Sequence, residues 1–265
     1  MRLTAYVEGL GVLGPGLANW PQTAAVLSGH RNYRAAATVL PMPMILAAAE
    51  RRRIGRVVKL ALGVALEAAS QAGEDPAELA TVFSSSGGDG HNCHELCQAL
   101  SLSSREVSPT RFANSVHNAA AGYWSIGTGS MAESNVLCAF DASFCAGLLE
   151  AMTHVAVDKV PVLLVAYDSE YPQPLHAKRP IPDAFGVALV LTPQGGSSSV
   201  ARMDAALSES DFDRFADPDL EGLRCAFPAA RSLPLLRLLA ARSGGRTVLE
   251  YLDVSRIEVQ IEPCA

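Results

Sequence analysis

The sequence predicts an α/β fold in which a mainly parallel sheet is covered by helices on both faces. Three observations carry this expectation. Residues 160–167 (VPVLLVAY, with Val160 leading) and 185–191 (FGVALVL) are short, continuous apolar runs, the pattern of strands buried on both faces. Val57, Val58, Ala61, Leu62, Ala65 and Ala69 give a helical apolar stripe within 54–72, and Gly73 stops it. Residues 134–153 (SNVLCAFDASFCAGLLEAMT) read as a short strand, a tight turn at Asp141-Ala142-Ser143 and an apolar helix. Such an elbow presents one side chain at a helix start, where the dipole and free N–H groups favour an anion.

The remaining elements follow in order. Residues 3–13 form a first strand that ends at Gly14-Pro15-Gly16. Asn19 then caps a helix with Pro21 in its first turn, running to about Ser28. Pro41 and Pro43 break the next stretch before the long helix. A strand at 80–84 runs into Ser85-Ser86-Gly87-Gly88-Asp89-Gly90, which has no GxxxxGK[ST] and so no nucleotide-loop chemistry. His91, Cys93, His94 and Cys97 are four possible metal ligands, but no second cluster stands at zinc-finger spacing, so the segment reads as an ordinary helix. Asn114 or Ser115 caps a helix running to about Gly127, whose small residues 119–122 let a neighbour pack closely. After the elbow and the strand at 160–167 comes a loop with Pro172, Pro174 and Pro180, then strands at 185–191 and 200–207. Residues 208–232 are a polar, irregular excursion, 233–241 a short helix, and 248–252 and 256–261 one or two strands. No tandem repeat occurs, and the order of elements suits one domain.

Composition narrows the function classes. The chain of 265 residues is 49% hydrophobic and 18% charged, a core-rich protein and not a disordered one. A net charge of -6 argues against a nucleic-acid partner. One basic group, Arg51, Arg52, Arg53, Arg56 and Lys59, is either a solvated helix end or a docking patch for an acidic carrier protein. Six scattered cysteines give no disulfide framework and imply a reducing compartment. Of these, Cys138 and Cys145 lie in apolar contexts and read as small core residues. No stretch reads as a signal peptide or a membrane span, so a cytoplasmic protein is expected.

Between 109 and 168 the residues become specific. PTRFANSVHNAAAGYWSIGTGS, DASFCAGLLEA and VPVLLVAYD together resemble the N-terminal half of β-ketoacyl synthases, in the thiolase superfamily. The helix from about Asn118 that contains Ala121-Gly122 is similar to that family's N-x-x-A-G helix. Asp141, followed by small residues and an apolar helix, resembles its D-T-A-C-S-S elbow, and Gly87-Gly88 falls where the family has its glycine turn. SVHNAAAGYWS and Arg51-Arg52-Arg53 are similar to a shortened, synthase-like subgroup found beside genuine synthases in aryl polyene and xanthomonadin-type pathways, where its members look like chain-length factors.

The resemblance implies a thiolase-like fold: a mainly parallel, mixed five-stranded sheet with helices on both faces and a truncated second half. Residues 1–205 would be the ketosynthase-like domain and 206–265 a C-terminal remnant or cap. A ketosynthase needs a cysteine at the elbow and two later histidines to polarise the malonyl thioester. Matching Phe140-Asp141 to the family's V-D puts Phe144 at the nucleophile position, with Cys145 turned ~100° away about the helix axis. After the elbow, histidines occur only at 154 and 176, so the Cys-His-His set is not expected to assemble.

The resemblance therefore implies a non-catalytic subunit that pairs with a full-length ketosynthase, as a heterodimer, or with itself, and acts on chains held by an acyl carrier protein. Phe144 and Met152 would line the acyl pocket. Asn135, Val136, Leu137, Cys138, Ala139 and Phe140 would form the strand that pairs antiparallel across the dimer axis. The basic residues 51–59 would dock the carrier protein, and neither metal nor cofactor is expected. Two alternatives stay open: a minimal acyltransferase with Cys145 as nucleophile and His117 as its base, and a carrier-binding module without a catalytic partner.

Overall fold

Local signals set the elements of the computed structural model, which describes residues 2–264. β1 (Arg2–Leu13) is followed by α1 (Trp20–Leu27), whose cap Asn19 accepts the Gln22 N–H at 2.8 Å. α2 (Ala48–Arg51) is a single turn, and α3 (Arg56–Ala72) closes on Gly73 at φ 72°, a left-handed cap. Then come β2 (Ala80–Ser84), α4 (Gly90–Ser101) capped by Asp89, α5 (Pro109–Ala113) capped by Ser108, and α6 (Ala119–Thr128). Asn114 ends α5 and does not start α6, because Pro109 already suits the first turn of a separate helix.

β3 (Ser134–Leu137) leads through a 3-10 turn (Phe140–Ala142) into α7 (Ser143–Val157). β4 (Val162–Asp168), β5 (Phe185–Thr192) and β6 (Ala201–Ser208) follow. The polar excursion contains α8 (Pro218–Ala226), capped by Asp217, and a second 3-10 turn (Ala229–Ser232). α9 (Leu233–Ala241), β7 (Gly245–Leu249) and β8 (Arg256–Pro263) complete the described chain.

The sheet differs from the expectation in size and direction. It has eight strands in the order β3-β2-β4-β5-β1-β6-β8-β7. Only β2–β3 and β2–β4 pair parallel; β4–β5, β5–β1, β1–β6, β6–β8 and β8–β7 are antiparallel. A strand buried on both faces reads as the same apolar run whichever way its neighbours point, so the runs at 162–168 and 185–192 carried no directional signal. The first five strands in that order do form a continuous five-stranded set. β1 then pairs on its other side with β6, so the sheet runs on without a break, and residues 205 and 206 lie side by side within β6.

Helices cover both faces, as expected. α1, α7 and α9 bury one face of the sheet, with Leu10, Phe144, Leu148, Leu164, Leu189 and Leu236 among the core residues. α3 and α6 bury the other, around Leu60, Leu62, Phe83, Trp124, Leu163 and Val190. α3 lies so close to β1 that a Cβ on Gly11 would sit 2.1 Å from the Val64 carbonyl oxygen. Side chains of α3 also satisfy β1 and its exit: Glu67 accepts from the Val12 and Trp20 N–H groups at 3.0 and 2.6 Å, and Gln71 from Leu10 at 2.8 Å.

The two edges of the sheet are treated differently. On β7, the Asp213 N–H donates to the Val248 carbonyl at 2.9 Å, and its carboxylate accepts from the Val248 N–H and the Thr247 hydroxyl. That edge is thereby blocked. β3 pairs only with β2, and its outer side makes no backbone hydrogen bond among the described residues. No helix among them is long and apolar enough to cross a membrane.

Candidate functional site

The elbow joins the carboxyl end of β3 to the start of α7. The strand stops at Leu137, so Cys138, Ala139 and Phe140 lie outside it and the expected pairing strand is shorter than 135–140. The chain turns there because Phe140 adopts φ 53°, a left-handed conformation that is costly for a bulky residue. Three contacts hold it. Ser143 Oγ donates to the Phe140 carbonyl at 2.7 Å and accepts the Ala139 N–H at 3.1 Å. The Arg179 guanidinium lies 3.9 Å above the Phe140 ring. Ser84, at the end of β2, donates to the Ser143 carbonyl at 2.6 Å and ties α7 to the sheet.

Asp141, the acid of the turn, is held by two cations. Arg179 Nη2 lies 2.5 Å from one of its oxygens and Arg231 Nη2 3.2 Å from the other. Arg231 also reaches Glu250 at 3.4 Å, and the buried Arg224 bridges Glu250 at 2.6 Å and Glu221 at 2.8 Å. The bonds from Arg224 pull the Glu221 carboxyl down to about 2. This chain of charges binds α8 and the end of β7 to the elbow. A cavity of about 310 Å³ opens beside it, lined in part by Asp141, Arg179, Cys225 and Arg231.

The side chains that would react or gate are closed off. Phe144 is 1% exposed and belongs to the core on the α7 face of the sheet. Met152, two turns further along α7, is fully buried in the same core. Neither lines the larger cavities, so the expected pocket wall is closed core: Phe144 and Met152 face the sheet against which α7 packs. Cys145 is 1% exposed, and its thiol donates to the Glu250 carbonyl at 3.3 Å. Burial pushes this thiol up, which keeps it protonated; the nearby Arg231 opposes that shift and Glu250 adds to it.

His117 does not meet Cys145. It lies beside Gly88, 3.5 Å from where a Cβ on that glycine would stand, and its Nε2 is buried without a protein partner. Cys138, expected in the core, is exposed and donates to the Ser86 carbonyl at 3.3 Å, because the strand that would have buried it ends one residue earlier. The six cysteines are free thiols. Cys93 and Cys97 are exposed on α4, and His91 faces Glu170 at 3.9 Å, so these residues form an ordinary helix start.

The basic group 51–59 is dispersed. Arg51 donates to the Leu46 carbonyl at 2.6 Å, Arg53 pairs with Glu50 at 2.9 Å, and Arg56 pairs with Glu170 and Asp183 at 2.7 and 2.9 Å. Arg52 is exposed and Lys59 half-buried. Arg52, Arg53 and Arg56 nevertheless share a cleft of about 460 Å³ with Arg111 and His91. A larger groove of about 520 Å³ runs along α5 and α6, with Ala113, Val116, Tyr123 and Ile126 among its walls.

One residue matters more than its sequence position suggested. Asp168 is 3% exposed and accepts the Ser86 N–H and the Ala229 N–H, each at 2.9 Å. It joins the loop after β2 and the end of β4 to the turn before α9. Burial pushes its carboxyl up to about 6, against the hydrogen bonds that favour the charged form. The only signal in the sequence is an acid that ends a wholly apolar strand.

The comparisons bear on the whole of this arrangement. The family model for the beta-ketoacyl synthase N-terminal domain matches residues 18–228. No curated protein matches the chain. Among solved structures, one chain of the complex of the ketosynthase ApeO with its chain length factor ApeC from Xenorhabdus doucetiae aligns over 97% of this chain and 99% of its own, with TM-score 0.73 and 23% identity. A chain of the ishigamide ketosynthase/chain length factor aligns over 99% and 100%, with TM-score 0.71 and 12% identity. A beta-ketoacyl synthase from Burkholderia phymatum STM815 aligns over 91% of this chain and 71% of its own, with TM-score 0.57 and 15% identity. At these identities the structural likeness establishes the fold.

Proposed function

The chain belongs to the β-ketoacyl synthase N-terminal domain family, and we propose that it acts as a non-catalytic member, a chain-length factor that pairs with an active β-ketoacyl-ACP synthase. The observation that carries this reading is the elbow. Its turn and helix are intact, and Phe144, which the sequence match of Phe140-Asp141 to the family's V-D puts at the nucleophile position, is locked in the core. Phenylalanine cannot attack a thioester, and the adjacent Cys145 is buried, hydrogen-bonded and held as a thiol. In this reading the partner supplies the nucleophile and the histidines. This chain supplies one wall of the space in which a polyene or polyketide chain grows.

Pairing is supported by the open edge of β3, since an uncovered strand edge is a template for another strand. Exposed apolar side chains accompany it: Met131 and Phe140 flank the strand, and Phe112, Val116 and Ile126 project from α5, the segment after it and α6. Two of the solved structures that share this fold are complexes of a ketosynthase with a chain length factor. The arginine-lined cleft supports docking of an acidic carrier protein near α3, as part of the same role. The test is co-expression with a full-length β-ketoacyl-ACP synthase from the same genome. The two should co-purify in equal amounts, and deleting this chain should abolish the product or change its length. Failure to co-purify, with product amount and length unchanged by the deletion, sinks the reading.

A further inference from the structure

Phe140 is strained and exposed at once. Among the described residues, four that are not glycine have φ above zero: Arg105, Phe140, Lys159 and Arg242. Lys159 and Arg242 follow the ends of α7 and α9, where a left-handed residue is an ordinary helix stop. Phe140 is the one apolar member of the four, at φ 53°, and it leads into a helix instead of out of one. It is 61% exposed and belongs to neither core of the sheet, whereas Phe144, four residues on, is buried. The fold therefore gains little from the ring itself. Glycine or asparagine would adopt this backbone at lower cost.

Segments far apart in the chain nevertheless converge to hold this ring. Ser143 Oγ brackets the turn through the Phe140 carbonyl and the Ala139 N–H. Arg179, from the loop after β4, lies 3.9 Å from the ring centre and pairs with Asp141. Arg231, from the turn before α9, grips the other oxygen of Asp141. Strain that the surrounding structure over-determines is characteristic of positions that act. An exposed aromatic ring stacked on a fixed guanidinium is also the usual makeup of an interface anchor, and a ring held in place beforehand loses little freedom on binding.

We propose that Phe140 is the anchor of the subunit interface, inserting into an apolar recess on the active ketosynthase, with Arg179 as its positioning residue. This rests on the reading of the chain as a ketosynthase partner. The occupant follows from where the ring stands. Phe140 lies three residues beyond Leu137, the last residue of the open-edged β3, so a subunit that pairs with that edge meets the ring at the end of the strand pair. Arg179 covers one face of the ring and is itself neutralised by Asp141. The partner's recess must then supply apolar contact to the other face and needs no carboxylate of its own.

Binding titrations of the full chain with a full-length β-ketoacyl-ACP synthase from the same genome, beside thermal unfolding and sedimentation of the chain alone, test the proposal. Phe140→Gly removes the ring and releases the strain. Its melting temperature should stay within about 4 °C of the parent's, while its affinity for the synthase should fall at least about tenfold. Phe140→Asn, which also tolerates the left-handed backbone, should behave alike and keeps the test decisive if glycine loosens the turn. Arg179→Gln should weaken binding in the parent and add nothing in the Phe140→Gly background, because it acts through the ring. Phe140→Gly that binds as the parent does, or that melts lower by more than the stated margin, overturns the proposal. So does a ring-dependent association of the chain with itself in place of the synthase. A parent chain that binds no synthase removes the functional reading and the anchor together, which is distinct from a parent that binds and a Phe140→Gly variant that binds equally well.

Discussion

Phe144 and Cys145 are neighbours in the chain with different work in the fold. Phe144 fills the core beneath α7, so Phe144→Ala should cost about 3–5 kcal/mol in urea unfolding, the range for deleting a buried ring. Cys145 is shielded, whereas Cys93, Cys97, Cys138 and Cys225 are exposed. Alkylation of the native protein followed by peptide mass spectrometry should mark those four, with Cys145 marked only after denaturant is added. Rapid native labelling of Cys145 would reopen its candidacy as a nucleophile. Asp168 sets a pH dependence. Its carboxyl titrates near 6 in the folded chain and near 3.8 when unfolded, so the folded state binds the extra proton between those values. Stability from this group is therefore greatest below about pH 4 and is lost as pH rises through 6, by roughly 3 kcal/mol. Asp168→Asn should flatten that part of the profile in denaturant titrations run from pH 4 to 7; an unchanged slope would show that the buried carboxyl is not raised.

At the scale of elements, the sequence carried the helices well and the sheet in part. α3 was legible because the apolar stripe within 54–72 and the glycine that stops it, Gly73, agree, and the helix ends there in a left-handed cap. The elbow was legible because a strand ending in Asp-Ala-Ser runs straight into an apolar helix. Strand direction was not, since β4 and β5 have the same composition although they run opposite ways. Nor was the early end of β3, which depends on Phe140 taking a left-handed conformation that its own side chain disfavours and that Arg179, distant in sequence, holds in place. The packing of α3 on β1 gives a direct check. Gly11→Ala would drive a methyl into the Val64 carbonyl and should destabilise the chain by about 1–3 kcal/mol or more, measured by thermal or urea unfolding. On the open edge, Met131→Asp touches a side chain that is 97% exposed. It should leave the melting temperature unchanged while weakening the complex with the ketosynthase by about tenfold or more in a binding titration.

The whole molecule is an eight-stranded sheet with one closed edge and one open edge. Asp213 blocks β7, and the Arg224–Glu250–Arg231–Asp141 chain ties the segment after β6 to the elbow. That integration was hidden in the sequence because its partners lie far apart along the chain and their spacing has no period. The open edge at β3 leads straight into the elbow, so the surface proposed to meet a partner and the elbow lie on the same side of the fold. The most direct test of the central claim is intact-protein mass spectrometry of both subunits after the purified complex has been incubated with an acyl-loaded carrier protein. Acyl mass should appear on the ketosynthase subunit alone, and this chain should keep its unmodified mass. An acyl adduct on this chain, mapped to Cys145 and lost in Cys145→Ala, would contradict the claim that it is a non-catalytic partner.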